Sequence, residues 1–600
     1  MVAFLIVSRT ATMTSLFGPN LNGSVTEFRL WAPSAREVNI VFPDRDPAAL
    51  IRGDDGVWSV RLEDRGPGTR YKFRVGSLEF PDPASRQQGG GTAGWSVVCE
   101  PFAASGRKQP LRPWHETILC EVHIGTVSPE GTFRWLADRL EHFRDAGYTA
   151  LEIMPINEFP GDRNWGYDGT LIFAPDSAYG TREDLRALVE RAHDLGLCLI
   201  LDVVYNHFGE FDNFIERYAP EWFDPEIETP WGPGIDFTQE MVRQFYYENA
   251  RMWLEEFDFD GLRFDSVHEM KTEARNIFLG DLAKVARSVK GDAKLIIENM
   301  DNIASWLDRD EDNRPRDFTA QWNDDIHHVL HHLVTGEAKH GYEDGSRDAI
   351  ADLEKGLADG FVHDGEAEGE SDGTTRGEPA SRLPPDAFVS YVQNHDQIGN
   401  RADNKRLPDR VSAEKLDFLH FVTMLAPQIP LFFMGEEAHI STPFPFFIDL
   451  PEDAAEPKRA DRYKQMRESF GEEDIAEGDL PDPNAIETFR SAKLDWTAFE
   501  EVEKRAALER FRTLAHWRKK HLWPLTVTPC RDARTGRQGT AIVVSWVFEA
   551  GVFAMALNAS DFPSDLACVI TGMPLATGDF SQHGEIVRLG PWSAVAWRAP

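Results

Sequence analysis

Four short apolar runs of the chain each end in a carboxylic acid. The runs are LDVVYNH, GLRFD, LIIEN and YVQNHDQIGNR, and their acids are Asp202, Asp265, Glu298 and Asp396. Each run is typical of a buried strand that stops on polar residues. We therefore expect four strand ends to assemble one site, where carboxylic acids and histidines carry out acid/base and nucleophilic chemistry.

Cleavage of a glycosidic bond suits such a set of acids. One acid must keep its proton near neutral pH, through burial or a like-charged neighbour, to protonate the leaving oxygen. A retaining enzyme also needs an ionised carboxylate as nucleophile. Arg263 lies two residues before Asp265, and residues i and i+2 of a strand point to the same face. We expect Arg263 to keep Asp265 ionised.

The elements that would position these acids are eight β-rich runs that alternate with helical patterns. The runs cover 118–125, 148–155, 198–205, 260–267, 294–299, 318–324, 388–394 and 429–435. This alternation predicts an α/β fold, a (β/α)₈ TIM barrel, which places its functional residues at the C-terminal ends of the strands.

Two helices are predicted most clearly. One follows the second run, where five apolar residues share one helical face: Leu185, Leu188, Val189, Ala192 and Leu195. Thr181 precedes that helix as a candidate N-cap, with Asp184 three residues later. The other helix, MVRQFYYENARMWLEEF, precedes the fourth run.

The flanking sequence predicts further domains. We divide the chain into an N-terminal immunoglobulin-like β-sandwich of carbohydrate-binding type (1–98), a linker (99–116), the catalytic barrel (117–520) and a small C-terminal β-domain (521–600). Two barrel segments are too long for plain loops. The aromatic segment 206–240 could contact sugar, and the polar segment 336–386 is predicted to be a loop with a mobile acidic tip.

Composition narrows the partners and the compartment. The net charge of −37 over 600 residues argues against nucleic acid and anionic membranes. The five cysteines show no CxxC spacing, which fits a reducing, cytoplasmic compartment. The N-terminal VAFLIV run lacks the basic flank of a signal peptide, and no apolar stretch is long enough to span a bilayer. Whether the protein is a monomer or a dimer stays open.

The order DVVYNH, GLRFD, a strand-end glutamate and NHDQ resembles the α-amylase family of glycoside hydrolases. The resemblance implies that Asp265 is the nucleophile, Glu298 the proton donor and Asp396 the stabiliser of the transition state. It implies that Asp202 organises Arg263 and that no cofactor or metal is required. The expected substrate-binding residues are Trp165, Tyr167, Asp168, His207, Arg263, His395 and Gln397.

Further segments are similar to the malto-oligosyltrehalose trehalohydrolase family. They are EVHIGTVSPEGTF, IMPINEFPGDRNWGYDG, NDDIHH, NHDQIGNR and STPFPFF. This resemblance implies hydrolysis of the α-1,4 bond next to the terminal trehalose unit of maltooligosyltrehalose, which releases trehalose and a maltooligosaccharide. Two departures are expected at the rim of the site: Ala438 replaces a tryptophan after Glu437, and ENMDN replaces a glutamate followed by Asp or Ser.

Other functions remain open at this point. A glycogen branching or debranching enzyme would use the same three acids, whereas a silent carbohydrate-binding barrel should have lost one of them. Asp265 could form a structural ion pair, His207 and His395 could be satisfied structural histidines, and Trp165 and Tyr167 could be core aromatics. Trp231 is either a core residue or a contact on the reducing side of the substrate.

The sequence also contains a possible metal motif. The residues concerned are His327, His328, His331 and His332, which fall at positions i, i+1, i+4 and i+5 of a helix. Because no HExxH glutamate accompanies them, we predict no zinc site. Asn206 lies where some amylases bind calcium, and no further calcium ligand can be assigned.

Overall fold

The computed structural model describes residues 15–107, 110–337, 348–365, 376–470 and 480–599. The VAFLIV run and residues 366–375 of the acidic tip lie outside these ranges, so the predictions about them stay untested. Among the described residues, none of the helices combines the length and the apolar character that crossing a bilayer requires.

The N-terminal region forms two antiparallel sheets. One contains, in spatial order, Asn20–Asn22, Val25–Trp31, Val57–Glu63 and Ile51–Arg52. The other contains Ala48–Ala49, Asn39–Val41, Arg70–Val75, Trp95–Val97 and Gln88–Gly89, and Leu78–Phe80 pairs with its central strand. Phe28, Tyr71 and Phe73 alternate with more exposed neighbours and are fully buried. The predicted sandwich is confirmed.

Eight parallel strands close into a barrel, as predicted, and each lies inside its predicted run. Barrel strands 1 to 8 are Leu119–Val122, Ala150–Ile153, Cys198–Val203, Gly261–Phe264, Lys294–Ile297, Ala320–Trp322, Phe388–Ser390 and Ile429–Phe433. Strand 1 pairs with strand 8 through Leu119 and Leu431, which closes the sheet.

The barrel interior is layered. Directly paired residues of parallel strands point to the same face. A lower apolar layer includes Leu119, Ala150, Ile200, Ile296 and Leu431, which are all buried in one cluster. Two residues further along the strands, the same inward face carries Glu121, Glu152 and Asp202, and Arg263 pairs with Asp202. The barrel interior therefore contains charged side chains within the strands themselves, before their C-terminal ends.

The two predicted helices are present. Arg182–Asp194 begins after Thr181, whose side chain accepts from the Asp184 N–H while Asp184 accepts from the Thr181 N–H, both at 3.1 Å. Glu240–Glu255 precedes barrel strand 4. The other helices of eight or more residues are Arg275–Val289, Asp324–Thr335, Ala349–Asp359, Ala413–Leu425, Glu452–Phe470 and Val502–Trp517.

Segment 206–240 is more ordered than a plain loop. It contains a short helix (Ile215–Tyr218) and a hairpin (Phe223–Thr229 with Gly232–Ile235). Trp231 lies in the turn of that hairpin.

The description of 336–386 as a loop is wrong in part, because it contains the helix Ala349–Asp359. The Asp348 carboxylate caps that helix by accepting from the N–H groups of Ile350 and Ala351. Buried Leu353 and Leu357 lie one turn apart on its face, a helical spacing that the surrounding polar sequence obscures.

The C-terminal region contains two antiparallel sheets. The larger has the order Cys530–Gln538, Ala541–Phe548, Gly551–Asn558, Ser593–Ala599 and Leu575–Thr577. The smaller has the order Ser564–Ala567, Ile586–Leu589 and Phe580–His583. The exact domain boundaries at 98, 116 and 520 remain predictions.

The capping box of helix Arg182–Asp194 yields a stability prediction. In Thr181→Ala the Asp184 N–H loses its acceptor, so its hydrogen exchange should become about fivefold faster, equivalent to about 1 kcal/mol. Thr181→Ser keeps the acceptor and is the control. Peptide-level hydrogen–deuterium exchange over 181–190 measures both, and equal rates in the two variants would contradict the capping role.

Candidate active site

The guanidinium of Arg263 is the centre of the polar cluster at the C-terminal end of the barrel. Its Nη1 donates to Asp202 Oδ2 at 2.7 Å and to Asp265 Oδ1 at 2.8 Å, and its Nη2 donates to Glu298 Oε2 at 2.6 Å. The side chain is fully buried and lies 4.1 Å from the ring centroid of Trp322. Arg263 and Asp265 therefore face the same site, as strand alternation predicts.

Asp265 immediately follows barrel strand 4 and receives a second donor. Asn206, in the segment after barrel strand 3, donates its Nδ2 hydrogens to Asp265 Oδ2 and to the Asp265 carbonyl oxygen, both at 2.8 Å. Burial raises the pKa of Asp265 to about 8, although Arg263 acts in the opposite direction.

Glu298 immediately follows barrel strand 5 and has more donors. Its Oε2 accepts from Arg263, from the Ser266 N–H at 3.0 Å and from the Ser266 hydroxyl at 3.2 Å. Ser266 adopts a left-handed backbone conformation, with φ of 39°, that aims its N–H at this oxygen. Burial alone would raise the pKa of Glu298, but Arg263, His268 and the Ser266 N–H hold it below its usual value.

This distribution of charge differs from the sequence prediction. The sequence predicts that Arg263 favours the ionised form of Asp265, and Arg263 does donate to Asp265, but it also donates to Glu298. Arg263 and Ser266 place three donors on one Glu298 oxygen, which favours the ionised form of Glu298 in the ligand-free protein.

Asp396 lies on a short helix, His395–Gly399, in the segment that follows barrel strand 7. Glu121 of barrel strand 1 positions His395. Its carboxylate accepts hydrogen bonds from the His395 backbone N–H at 3.0 Å and from the ring Nδ1 at 2.5 Å. Nε2 of His395 lies 3.4 Å from Asp396 Oδ1. Burial alone would lower the pKa of His395, but Asp396 and Glu121 raise it to about 9, which favours the protonated imidazolium form.

A second chain of contacts reaches Asp396 from helix Glu452–Phe470. Asn400 donates to Asp396 Oδ1 at 3.0 Å. Arg462 donates to Asn400 Oδ1 at 2.7 Å and to the Gly399 carbonyl at 2.7 Å. Helix Glu452–Phe470 thus fixes the loop that carries Asp396.

Tyr167 contacts both Asp202, beside Arg263, and His395, beside Asp396. Its hydroxyl donates to Asp202 Oδ2 at 2.8 Å, and its ring stacks on His395 with a centroid distance of 5.0 Å. Asp168 follows it and accepts from Asn164 Nδ2 at 2.7 Å. Gln397 is half-buried beside Asp396. The assigned binding roles of these residues remain a proposal.

Trp165 packs among other aromatic side chains, as its alternative reading as a core aromatic predicts, and its substrate-binding role stays a prediction. The side chain is 3% exposed, its Nε1 donates to the Pro445 carbonyl at 3.0 Å, and its ring stacks on Phe444. A Cβ atom at Gly399 would lie 2.1 Å from the indole. Trp165 is a packed aromatic whose ring meets His395 edge-on.

His207 and Trp231 form a stacked pair, with ring centroids 3.8 Å apart and an interplanar angle of 9°. Nδ1 of His207 contacts Asn206 Oδ1, and Nε2 contacts the Tyr167 carbonyl at 2.9 Å. The hairpin after barrel strand 3 therefore folds back over the strand that precedes it. His207 covers one side of the Trp231 ring, and the Trp231 residue as a whole is half-buried.

The departure at Ala438 lies in the short turn Glu436–Ala438, just after the C-terminal end of barrel strand 8. Ala438 is fully buried. The neighbouring Glu437 points into the protein, where its carboxylate contacts His142 Nε2 at 2.7 Å and the Tyr148 hydroxyl at 3.2 Å.

Sequence reasoning missed the residues that hold the acids in place: Glu121, Asn206 as a partner of Asp265, Ser266, Asn400 and Arg462. Glu121 carried a usable signal, since it is a charged residue inside an apolar strand run. The contacts of Asn400 and Arg462 depend on the fold of distant loops and have no local signature.

The histidines of helix Asp324–Thr335 have protein partners. His327 Nδ1 contacts the Val392 carbonyl at 2.7 Å, and His331 Nε2 contacts Glu337 at 2.8 Å. Across the described ranges, no group of three or more His, Cys, Asp or Glu side chains is arranged to hold a metal ion. The prediction that no metal is needed stays a prediction.

Comparison with known proteins agrees with this geometry. The model of the α-amylase catalytic domain matches residues 100–224, and the model of carbohydrate-binding module 48 (isoamylase N-terminal domain) matches residues 16–103. A solved Salmonella typhimurium structure described as a candidate α-amylase superposes with a TM-score of 0.91 at 35% identity, over 98% of this chain and 100% of that one.

Two curated relatives extend the match across most of the chain. The malto-oligosyltrehalose trehalohydrolase of Deinococcus radiodurans is 34% identical over 89% of this chain and 87% of its own. The enzyme of the same name from Saccharolobus solfataricus is 34% identical over 84% of this chain and 87% of its own. The chain therefore belongs to the malto-oligosyltrehalose trehalohydrolase family, within the α-amylase family of glycoside hydrolases.

Proposed function

We propose that this protein is a retaining glycoside hydrolase that cleaves the α-1,4-glucosidic bond next to the terminal trehalose unit of maltooligosyltrehalose. The products are trehalose and a maltooligosaccharide, so the reaction serves trehalose biosynthesis. The observation that carries the proposal is the placement of Asp265 and Glu298 on one guanidinium, in a chain whose relatives of that name match over most of its length.

Asp265 acts as the nucleophile and Glu298 as the proton donor. Asp265 attacks the anomeric carbon as the bond to trehalose breaks, and Glu298 gives its proton to the departing oxygen. In the second step Glu298 takes a proton from water, whose oxygen attacks the anomeric carbon and releases Asp265. The substrate gains one water molecule overall, and both acids return to their starting states.

The first step requires Glu298 to carry a proton and Asp265 to be ionised. In the ligand-free protein Glu298 is anchored by Arg263 and Ser266. The incoming glycosidic oxygen draws Glu298 away from these donors, which favours its protonated form. Arg263 then interacts mainly with Asp202 and Asp265, which favours the ionised nucleophile. Substrate binding thus completes the division of charge that the chemistry needs.

The remaining polar groups bind the sugar that is attacked. Asp396 accepts hydrogen bonds from the hydroxyl groups of this sugar and stabilises the transition state. The other residues that bind the sugar are His395, His207, Tyr167, Asp168 and Gln397. Trp231 contacts the trehalose side, where its ring is backed by His207. The residues that recognise trehalose lie in the segments 206–240 and 323–386.

The same proposal covers cofactor and compartment. Two carboxylic acids and water suffice for the reaction, so no cofactor or metal is required. All five cysteines are free thiols, which supports a reducing, cytoplasmic compartment. The substrate is the proposed partner, with the protein acting as a monomer or a dimer.

A product profile tests the substrate assignment. With maltotriosyltrehalose we expect trehalose and maltotriose, and little action on branched glucan, measured by chromatography. The control is Asp265→Asn, which should abolish the hydrolysis while the protein stays folded. Preferential action on branched glucan would instead identify a branching or debranching enzyme, and hydrolysis that survives in Asp265→Asn would refute the assigned nucleophile.

The contacts of Asn206 yield a prediction about pH dependence. Asn206→Ala removes a donor that stabilises the ionised form of Asp265, so the pKa of Asp265 rises further. We expect kcat to fall about 10- to 100-fold and the acidic limb of the kcat/KM profile to move to higher pH.

The matched control is Asn213→Ala, which removes an asparagine of the same segment whose side chain contacts only the Ile215 N–H. It should keep the wild-type profile. An acidic limb that stays in place in Asn206→Ala would contradict the role of Asn206.

A further inference from the structure

Glu152 is a carboxylic acid inside the barrel that the mechanism does not use. It lies on barrel strand 2, between its directly paired neighbours Glu121 on strand 1 and Ile200 on strand 3. Because Ile200 belongs to the cluster that fills the barrel, Glu152 points inward as well. It is 1% exposed, and no described residue donates a hydrogen bond to either of its carboxyl oxygens.

The charged groups that face Glu152 are Arg263, Asp202, Glu121 and His395. Both of the cations among them are already engaged. Arg263 donates to Asp202, Asp265 and Glu298, and His395 donates to Glu121. An ionised Glu152 would be a buried anion without a donor, which is among the costliest states in a protein interior.

Asp202 has an oxygen that requires a donor. Its Oδ2 accepts from Arg263 and from the Tyr167 hydroxyl, whereas its buried Oδ1 accepts from no described residue. Asp202 lies two residues beyond Ile200 on the same face of barrel strand 3. It is therefore the diagonal neighbour of Glu152 on the adjacent strand and lies on the same inward face of the barrel.

We propose that Glu152 is a positioning residue, held as a neutral carboxylic acid inside the barrel, whose O–H donates a hydrogen bond to Oδ1 of Asp202. Asp202 is then fixed on both oxygens, by Glu152 on one and by Tyr167 and Arg263 on the other. Since Asp202 shares Nη1 of Arg263 with Asp265, Glu152 acts on the nucleophile through two intermediate side chains.

The effects of burial and of neighbouring charges on the pKa values of Glu152 and Asp202 support this arrangement. Burial raises the pKa of Glu152 well above its usual value, against the opposing effect of Arg263. Burial also raises the pKa of Asp202, but Arg263 and Tyr167 limit the rise to about 6. The proposed arrangement accordingly places the proton on Glu152 and the negative charge on Asp202.

Two variants test the hydrogen bond through kinetics on maltotriosyltrehalose. Glu152→Gln keeps a neutral donor, so kcat/KM should stay within about threefold of wild type with an unchanged pH profile. Glu152→Leu has a similar volume and no donor, so kcat should fall about tenfold or more with little change in KM. Wild-type kinetics in Glu152→Leu would overturn the proposal. The proposal would also be overturned if the limbs of the kcat/KM pH profile moved to lower pH in Glu152→Gln. Such a shift would mean that the substitution removed an anion, since loss of an anion lowers the pKa of neighbouring acids.

A second measurement does not depend on activity. The infrared difference spectrum between wild type and Glu152→Gln at neutral pH should contain the carbonyl band of a protonated carboxyl group, and a carboxylate band in its place would overturn the proposal. The kinetic test rests on the proposed function, whereas the infrared test does not, so the two can fail separately. Wild type and Glu152→Gln decide the question even if Glu152→Leu does not fold.

Discussion

The site depends on one buried cation. The Arg263 guanidinium has no exposed surface, and water cannot compensate its charge. It must instead be balanced by protein anions, and its planar fork donates in several fixed directions at once. Those directions are filled by Asp202, Asp265 and Glu298, which come from three successive barrel strands. The spacing of parallel strands therefore sets the spacing of the acids.

Around this cation the barrel holds more acids than bases. Arg263 and His395 are the most deeply buried cations of the site, with His268 near Glu298 and Arg462 near Asp396, while Glu121, Glu152 and Asp396 add to the three acids on Arg263. Some of these acids must stay neutral, because the local charge would otherwise be strongly negative in a medium that screens poorly. The position of each proton is thus as much a part of the structure as the position of each side chain.

The barrel and the acids at its strand ends were predictable because their signals are local. Each strand run is short, apolar and followed by polar residues, and Thr181 with Asp184 marks a helix start by side-chain chemistry alone. The sharing of Arg263 between Asp265 and Glu298 was not predictable, since it depends on how barrel strands 4 and 5 lie against each other. The burial of Trp165 depends on Phe444 and Pro445, some 280 residues away. Helix Ala349–Asp359 was missed because polar and glycine-rich sequence surrounds it.

The most direct test of the central role of Arg263 is the steady-state kinetics of Arg263→Lys on maltotriosyltrehalose. Lysine keeps the positive charge but cannot donate to three carboxylates in fixed directions. We expect the variant to fold and to bind substrate with a similar KM, while kcat falls by about 100-fold or more. A kcat within about threefold of wild type would show that the charge alone is sufficient, and would contradict the account.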